Sequence, residues 1–283
     1  MKNHILAPLV ALILVLVACS KPAETAAGFD WPQWRGPDGN GQSRETNWDP
    51  AAIENPKILW KADVGMGYSN VAIRDGRLYT MGLLAKDGFT VSCLDAATGR
   101  KIWQRPFPST DYPQATPTAD GDSLFVLTAE GALHAIDTKT GKQRWWKDLV
   151  ADFGAVKPFY GFAGSPMVTG DLVVLTANTA GMAVKRDTGE LAWISEKPPA
   201  EFRTIYLGSF DPSGNLKSTG TAYATPVLYQ KDGRSLAIRS SWRGITSGDV
   251  LTGEPVWRYD WETEPHYIIP DPMLDGDRVC VTN

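Results

Sequence analysis

Few side chains in this 283-residue chain belong to the types that do covalent, acid–base or metal chemistry. It has three histidines, His4, His134 and His266, and three cysteines, Cys19, Cys93 and Cys280. His134 and His266 have no ligand partner at the short spacings that zinc sites use. Cys93 and Cys280 lie in strand-like V-S-C-L and V-C-V stretches, where a thiol ordinarily packs as a small hydrophobe. There is no C-x-x-C and no adjacent Cys pair. Three carboxylates, Asp152, Glu201 and Asp211, fall in two long aromatic-rich stretches and are open to recruitment by a cation or a proton transfer. Loop carboxylates are ordinarily just solvated, so no catalytic residue and no metal site is expected. The same stretches offer a candidate binding rim. Phe153, Phe159, Tyr160 and Phe162 lie in 147–163, and Phe202, Arg203, Tyr206 and Phe210 in 196–224. These aromatics either meet a partner or pack the loops that carry them.

The elements that must position these residues form a repeat. The run D-T-K-T-G-K-Q-R-W at 137–145 recurs as D-A-A-T-G-R-K-I-W at 95–103, K-R-D-T-G-E-L-A-W at 185–193 and D-V-L-T-G-E-P-V-W at 249–257. A half-visible copy, K-I-L-W, ends at Trp60. From Trp60 the steps to Trp103, Trp145, Trp193 and Trp257 are 43, 42, 48 and 64 residues. A period of roughly 40–45 residues with insertions is that of a propeller blade. Asp with Thr-Gly is turn chemistry: Asp bonds nearby backbone and glycine supplies a positive φ. Gly99, Gly141, Gly189 and Gly253, with Trp60, Trp103, Trp145, Trp193 and Trp257, are therefore expected to seal one blade against the next, since each Trp buries about 200 Å². A second feature keeps the same register. Thr116-Pro117, Ser165-Pro166, Thr225-Pro226 and Asp271-Pro272 each precede an apolar strand.

The expected fold is all-β: a propeller of four-stranded antiparallel blades, with four complete blades (68–103, 115–145, 164–193 and 225–257) and a partial fifth from 266 onward. Four blades and a piece do not close a ring, so the sequence reads as a fragment of a seven- or eight-bladed ring. The Trp60 strand is expected to close that ring by pairing with the C-terminal blade. The insertions at 147–163 and 196–224 each link an outer strand to the next inner strand, so they share one face.

Charged residues make up 21% and the formal net charge is −4, with no basic patch of the kind nucleic acid requires. Residues 1–18 read as an export signal: Lys2 and His4 lead an apolar run at 5–17 that is short for a membrane span. It ends L-V-A-C, which resembles the bacterial lipobox, so Cys19 is the expected lipid-attachment site. The resemblance implies a lipid-anchored, outer-membrane protein facing the periplasm. Residues 19–29 form a polar tether, and the propeller domain covers 30–283. In the W-P-Q-W-R-G-P stretch at 31–37, Arg35 is open to two readings, a ligand-binding cation or a partner stacked on Trp31 or Trp34.

The repeat A-x-D-x-x-T-G-x-x-x-W and the W-P-Q-W-R-G-P stretch resemble those of the PQQ-like (pyrroloquinoline-quinone-like) repeat propellers. The third unit departs, with Lys185 in the Asp place. One branch of that family holds dehydrogenases with PQQ and Ca²⁺ on the axis. The other holds non-catalytic propellers, including a lipoprotein of the outer-membrane β-barrel assembly machinery. No residue here matches a dehydrogenase catalytic motif, and the vicinal Cys pair common in alcohol-oxidising members is absent. The resemblance therefore implies a non-catalytic envelope scaffold that binds a protein or peptide partner and takes no cofactor. The alternative is a PQQ- and Ca²⁺-dependent dehydrogenase.

Overall fold

The computed structural model describes residues 30–46, 49–85, 87–109, 111–158, 160–197, 221–241, 244–261 and 267–282. Strands β1 (Ala72–Arg74), β2 (Arg77–Leu84), β3 (Gly88–Asp95) and β4 (Lys101–Pro106) form one antiparallel sheet in chain order. The second sheet is β5 (Thr118–Asp120), β6 (Ser123–Leu127), β7 (Ala132–Asp137) and β8 (Gln143–Asp148). The third is β9 (Met167–Thr169), β10 (Leu172–Leu175), β11 (Met182–Lys185) and β12 (Leu191–Ile194). A short strand, β13 (Thr221–Ala222), precedes the fourth sheet of β14 (Val227–Lys231), β15 (Arg234–Ser241), β16 (Gly244–Asp249) and β17 (Pro255–Asp260). Strand β18 (Tyr267–Ile268) pairs parallel to β13. A hairpin of β19 (Met273–Asp275) and β20 (Arg278–Cys280) opens the fifth unit. The four-stranded antiparallel blades of an all-β propeller are thus present in the expected places.

The turn chemistry acts as its residue types dictate. Asp137 Oδ1 accepts from the Thr140 N–H and the Thr140 hydroxyl, each at 2.8 Å, and Gly141 takes φ +69°. Asp95 accepts in the same way from Thr98, and Asp249 accepts from the Thr252 N–H. In the third unit Lys185 cannot accept, and its Nζ pairs instead with Glu190 at 2.7 Å. The turn survives without the Asp: Lys185 N–H reaches the Glu190 carbonyl, Gly189 N–H reaches the Lys185 carbonyl and Glu190 N–H reaches Thr188 Oγ1. The residue just before each turn Asp or Lys (Leu94, Ile136, Val184, Gly248) sits where the register slips by one against the outer strand. Such a bulge sharpens twist and aims the following turn toward the neighbouring sheet.

Second and third strands carry the core because they are covered on both faces. All four residues of β10 are buried, as are all five of β6. Phe89, Val91, Leu124, Phe125, Leu175 and Met182 belong to one apolar cluster that runs unbroken through the first three sheets. Outer strands β4, β8, β12 and β17 are largely exposed. First strands lie closest from sheet to sheet, β1 beside β5 and β5 beside β9, and so line the inner side. Among the described residues the stretch 57–64 pairs with no strand, and Ile58 and Leu59 are exposed. The ring closure expected of it is therefore not seen there.

Candidate functional site

Three places in the fold gather side chains with something to do: the seams between sheets, the inner edge, and the rim. At each seam a Trp ring lies against the turn glycine of the next unit. A methyl group on Gly141 would stand 2.7 Å from the Trp103 ring, and one on Gly99, Gly189 or Gly253 would be as close to Trp60, Trp145 or Trp193. Each indole also donates its N–H across the seam. Trp60 donates to the Ala96 carbonyl at 3.1 Å, Trp103 to Thr138 at 2.9 Å, Trp145 to Arg186 at 3.0 Å and Trp193 to Val250 at 2.8 Å. Trp60 thus does for the first sheet what Trp103 does for the second. Trp257 packs partly buried against the cluster of Ile238, Ile245 and Ile268, as do Val279 and Val281 of the fifth unit.

At the inner edge the residues that precede proline form a relay. The Asn70 N–H donates to Thr116 Oγ1 at 3.3 Å, and Thr116 N–H to Ser165 Oγ at 2.9 Å. Ser165 N–H donates to Thr225 Oγ1 at 3.0 Å, and Thr225 N–H to Asp271 Oδ1 at 2.7 Å. A residue before proline is held extended, which keeps its side chain in one place for the neighbour. Asp271 Oδ2 accepts from the Trp34 indole. Burial pushes the Asp271 carboxyl above its ordinary range, outweighing the Trp34 and Thr225 donors and nearby Arg35.

The aromatic-Pro loop at 31–41 lies along this inner edge. Trp31 and Ile73 exchange two backbone hydrogen bonds at 2.8 Å on the free side of β1, and Ala119 of β5 donates to the Pro32 carbonyl. Unpaired inner edges are thereby capped by the chain's own backbone. Arg35 stacks on neither Trp. Its guanidinium donates to the Pro272 carbonyl at 3.3 Å and stands 4.0 Å from Asp271, so it docks the loop onto the fifth unit.

The rim divides. Phe162 is buried and presses on Gly131, where a methyl would stand 2.6 Å from its ring. Phe153 is half-buried against the same core. Both differ from the rim expectation, because the insertion folds back and uses them for packing. Tyr160 remains exposed, with its ring 6.2 Å from that of Tyr223. Phe159, Phe202, Arg203, Tyr206 and Phe210 lie outside the described residues, as do Cys19, Glu201, Asp211 and His266. Asp152 accepts from the Asp148 N–H as part of a local turn. His134 sits in the β7 core with Nδ1 2.8 Å from Gln143 Oε1, and burial pulls its pKa down. Cys93 is buried in the first sheet, and burial pushes its thiol up to about 11.

One residue escapes a reading by motif alone. Arg239 is fully buried in β15, at the seam between third and fourth sheets. The signal for it was present: L-A-I-R-S-S places a cation within a run that the register makes buried.

Comparison with known proteins agrees with this architecture. Residues 87–283 match the family described as "Outer membrane protein assembly factor BamB". The chain is 26% identical over 270 aligned residues to quinohemoprotein alcohol dehydrogenase ADH-IIG of Pseudomonas putida, covering 77% of this chain and 37% of that one. It is 23% identical over 217 residues to outer membrane protein assembly factor BamB of Shewanella oneidensis, covering 70% of this chain and 51% of that one. The chain thus spans about half or less of these relatives' length. The solved structure of quinohemoprotein alcohol dehydrogenase from Comamonas testosteroni superposes with a TM-score of 0.62 at 18% identity, over 84% of this chain and 42% of that one. With the turn-and-tryptophan seam repeated from sheet to sheet and the family match running over most of its length, the chain belongs to the PQQ-like repeat β-propeller family described by the name BamB.

Proposed function

We propose that this propeller is a non-catalytic scaffold of the cell envelope, lipid-anchored through Cys19, that binds a protein partner and serves outer-membrane protein assembly. The observation that carries the reading is the inner edge. The carboxylate there, Asp271, accepts from Trp34 and Thr225, and residues 31–41 cap the free sides of β1 and β5. An axial ligand would have to displace the protein's own loop. The assembly-factor family match and the Shewanella relative point the same way. A test is site-specific photocrosslinking from Tyr160 in intact cells. Adducts with an outer-membrane assembly subunit are expected, and adducts with none of its subunits would overturn the reading.

The dehydrogenase relatives favour a second reading, a PQQ- and Ca²⁺-dependent oxidoreductase. Such a site needs several oxygen donors converging on one cation. Among the described residues no three His, Cys, Asp or Glu side chains come together in that way, and the hydroxyls of the inner relay already accept backbone N–H groups. The described residues therefore do not fit the group, and we derive no step through it. Calcium- and PQQ-dependent dye reduction by the lipid-extracted protein would decide for this second reading.

A further inference from the structure

The fourth unit breaks the repeat at one position. By register against the turn residues Asp95, Asp137, Lys185 and Asp249, Arg239 stands where the other units carry Thr80, Val126 and Leu175. It is 0% exposed, and its Nε, Nη1 and Nη2 have no hydrogen-bond partner. Directly across on β16, the hydroxyl of Thr246 is buried and equally unpartnered. Space is made on purpose. A methyl on Gly248 would lie 2.1 Å from Nη2, and one on Gly181 would lie 2.3 Å from Cδ. The other units fill the Gly248 place with Leu94, Ile136 and Val184, which would leave no room for a guanidinium. The guanidinium carbon lies over the Trp193 ring, 5.0 Å from its centroid. Burial lowers the Arg239 pKa to about 10, so it is charged at neutral pH.

Arg239 and Thr246 both line a cavity of about 620 Å³ between the outer edges of the third and fourth sheets, with their polar atoms just behind its wall. That size is in the range of small-molecule sites. On the lip, Arg258 holds Glu196 at 3.3 Å and Asp260 at 2.9 Å, and Glu254 lies nearby. Two of the lip carboxylates, Glu196 and Asp260, are thus paired with Arg258.

We propose that this seam is a binding site for a carboxylate, with the Arg239 fork donating to both oxygens and Thr246 donating beside it. A planar guanidinium fork matches a planar carboxylate. Three lip carboxylates disfavour a doubly charged phosphate. A buried cation without a partner is costly, and a ligand anion relieves that cost. The carboxylate belongs either to a small organic acid or to the C-terminus of a peptide. The site is independent of whether the propeller is a scaffold or an enzyme.

Calorimetric titration of the full chain at constant ionic strength tests this, with sodium acetate, a tripeptide bearing a free C-terminus, its C-terminal amide, phosphate and chloride. Acetate or the free-acid peptide is expected to bind, with no binding of the amide. Tighter binding of the peptide assigns the site to chain termini, and equal binding assigns it to small acids. Arg239→Met keeps an unbranched apolar stem without the charge and is expected to weaken binding at least about tenfold, as loss of a charge-assisted pair implies. Thr246→Val keeps the charge and is expected to weaken it several-fold. The proposal is overturned if no carboxylate binds below about 100 mM, a concentration that would detect millimolar affinity. It is equally overturned if chloride or phosphate competes as well as acetate. Unchanged affinity in Arg239→Met does the same, as does unchanged affinity in Thr246→Val should the first variant fail to fold.

Discussion

Gly141 lies flat against the indole of Trp103, and that indole donates its N–H to the carbonyl of Thr138, three residues before the glycine. One residue thus both fills the seam and satisfies a turn carbonyl of the next sheet. Gly141→Ala would add a methyl 2.7 Å from the ring at φ +69°. The left-handed backbone costs roughly 1–2 kcal/mol and the overpacking a further 1–3 kcal/mol. Gly76→Ala has the same backbone conformation, φ +70°, with open space around it. It should lose only the first part, about 1–2 kcal/mol. Urea midpoints of the two variants compare them, and equal losses would refute the seam packing.

The inner-edge carboxyl gives a pH dependence of defined sign. Asp271 has a raised pKa in the fold, so the folded state holds its proton at pH values where the unfolded chain has released it. Its contribution to stability is full below the ordinary Asp range and declines as pH rises through the folded value. Asp271→Asn removes that slope. It also leaves one of the Trp34 and Thr225 donors facing an amide, so backbone exchange of residues 31–41 should speed up. Equal pH slopes in the two proteins would contradict this account.

His134 acts in the opposite sense. Its pKa is lowered by burial, with Gln143 only partly offsetting, so the unfolded chain takes up the proton first as pH falls. Stability from this group is present above the ordinary His value and is lost below it. His134→Phe suits a ring already 4.8 Å from Phe107 and is expected to flatten the acid-side loss in the interval below about pH 6.5. Calorimetric unfolding across that interval measures it.

The two kinds of rim aromatic should separate in one experiment. Phe162→Ala empties a buried site and is expected to cost about 3–5 kcal/mol. Tyr160→Ala removes an exposed ring and should change stability by less than about 0.5 kcal/mol while weakening partner co-purification. A Tyr160→Ala protein that co-purifies its partner in full would remove this residue from the proposed surface.

Cysteine labelling reports on the first sheet. Cys93 is buried with its thiol raised to about 11, whereas Cys280 is exposed. At pH 8 a thiol reagent should modify Cys280 within minutes and Cys93 only on unfolding, because the thiolate is the reactive form. Rapid modification of both would show that the sheet opens.

Sequence alone determined the repeat, and with it the blades. A Thr-Gly turn and a Trp at fixed spacing leave few ways to bury that Trp, so Gly99–Trp103 in one unit predicts Gly141–Trp145 in the next. Local chemistry is enough there, because turn and strand preferences act over a few residues. The inner relay was half legible: the X-Pro register stood out, but not that Thr116, Ser165, Thr225 and Asp271 would each accept from the preceding unit. That pairing spans about 50 residues and depends on the angle between sheets. Only the tertiary structure decided that Arg35 and Trp34 meet the fifth unit, 237 residues away, and that Phe162 turns inward. Only it left Arg239 buried without a partner, because burial is set by which sheet packs on which, and a motif reads one strand at a time.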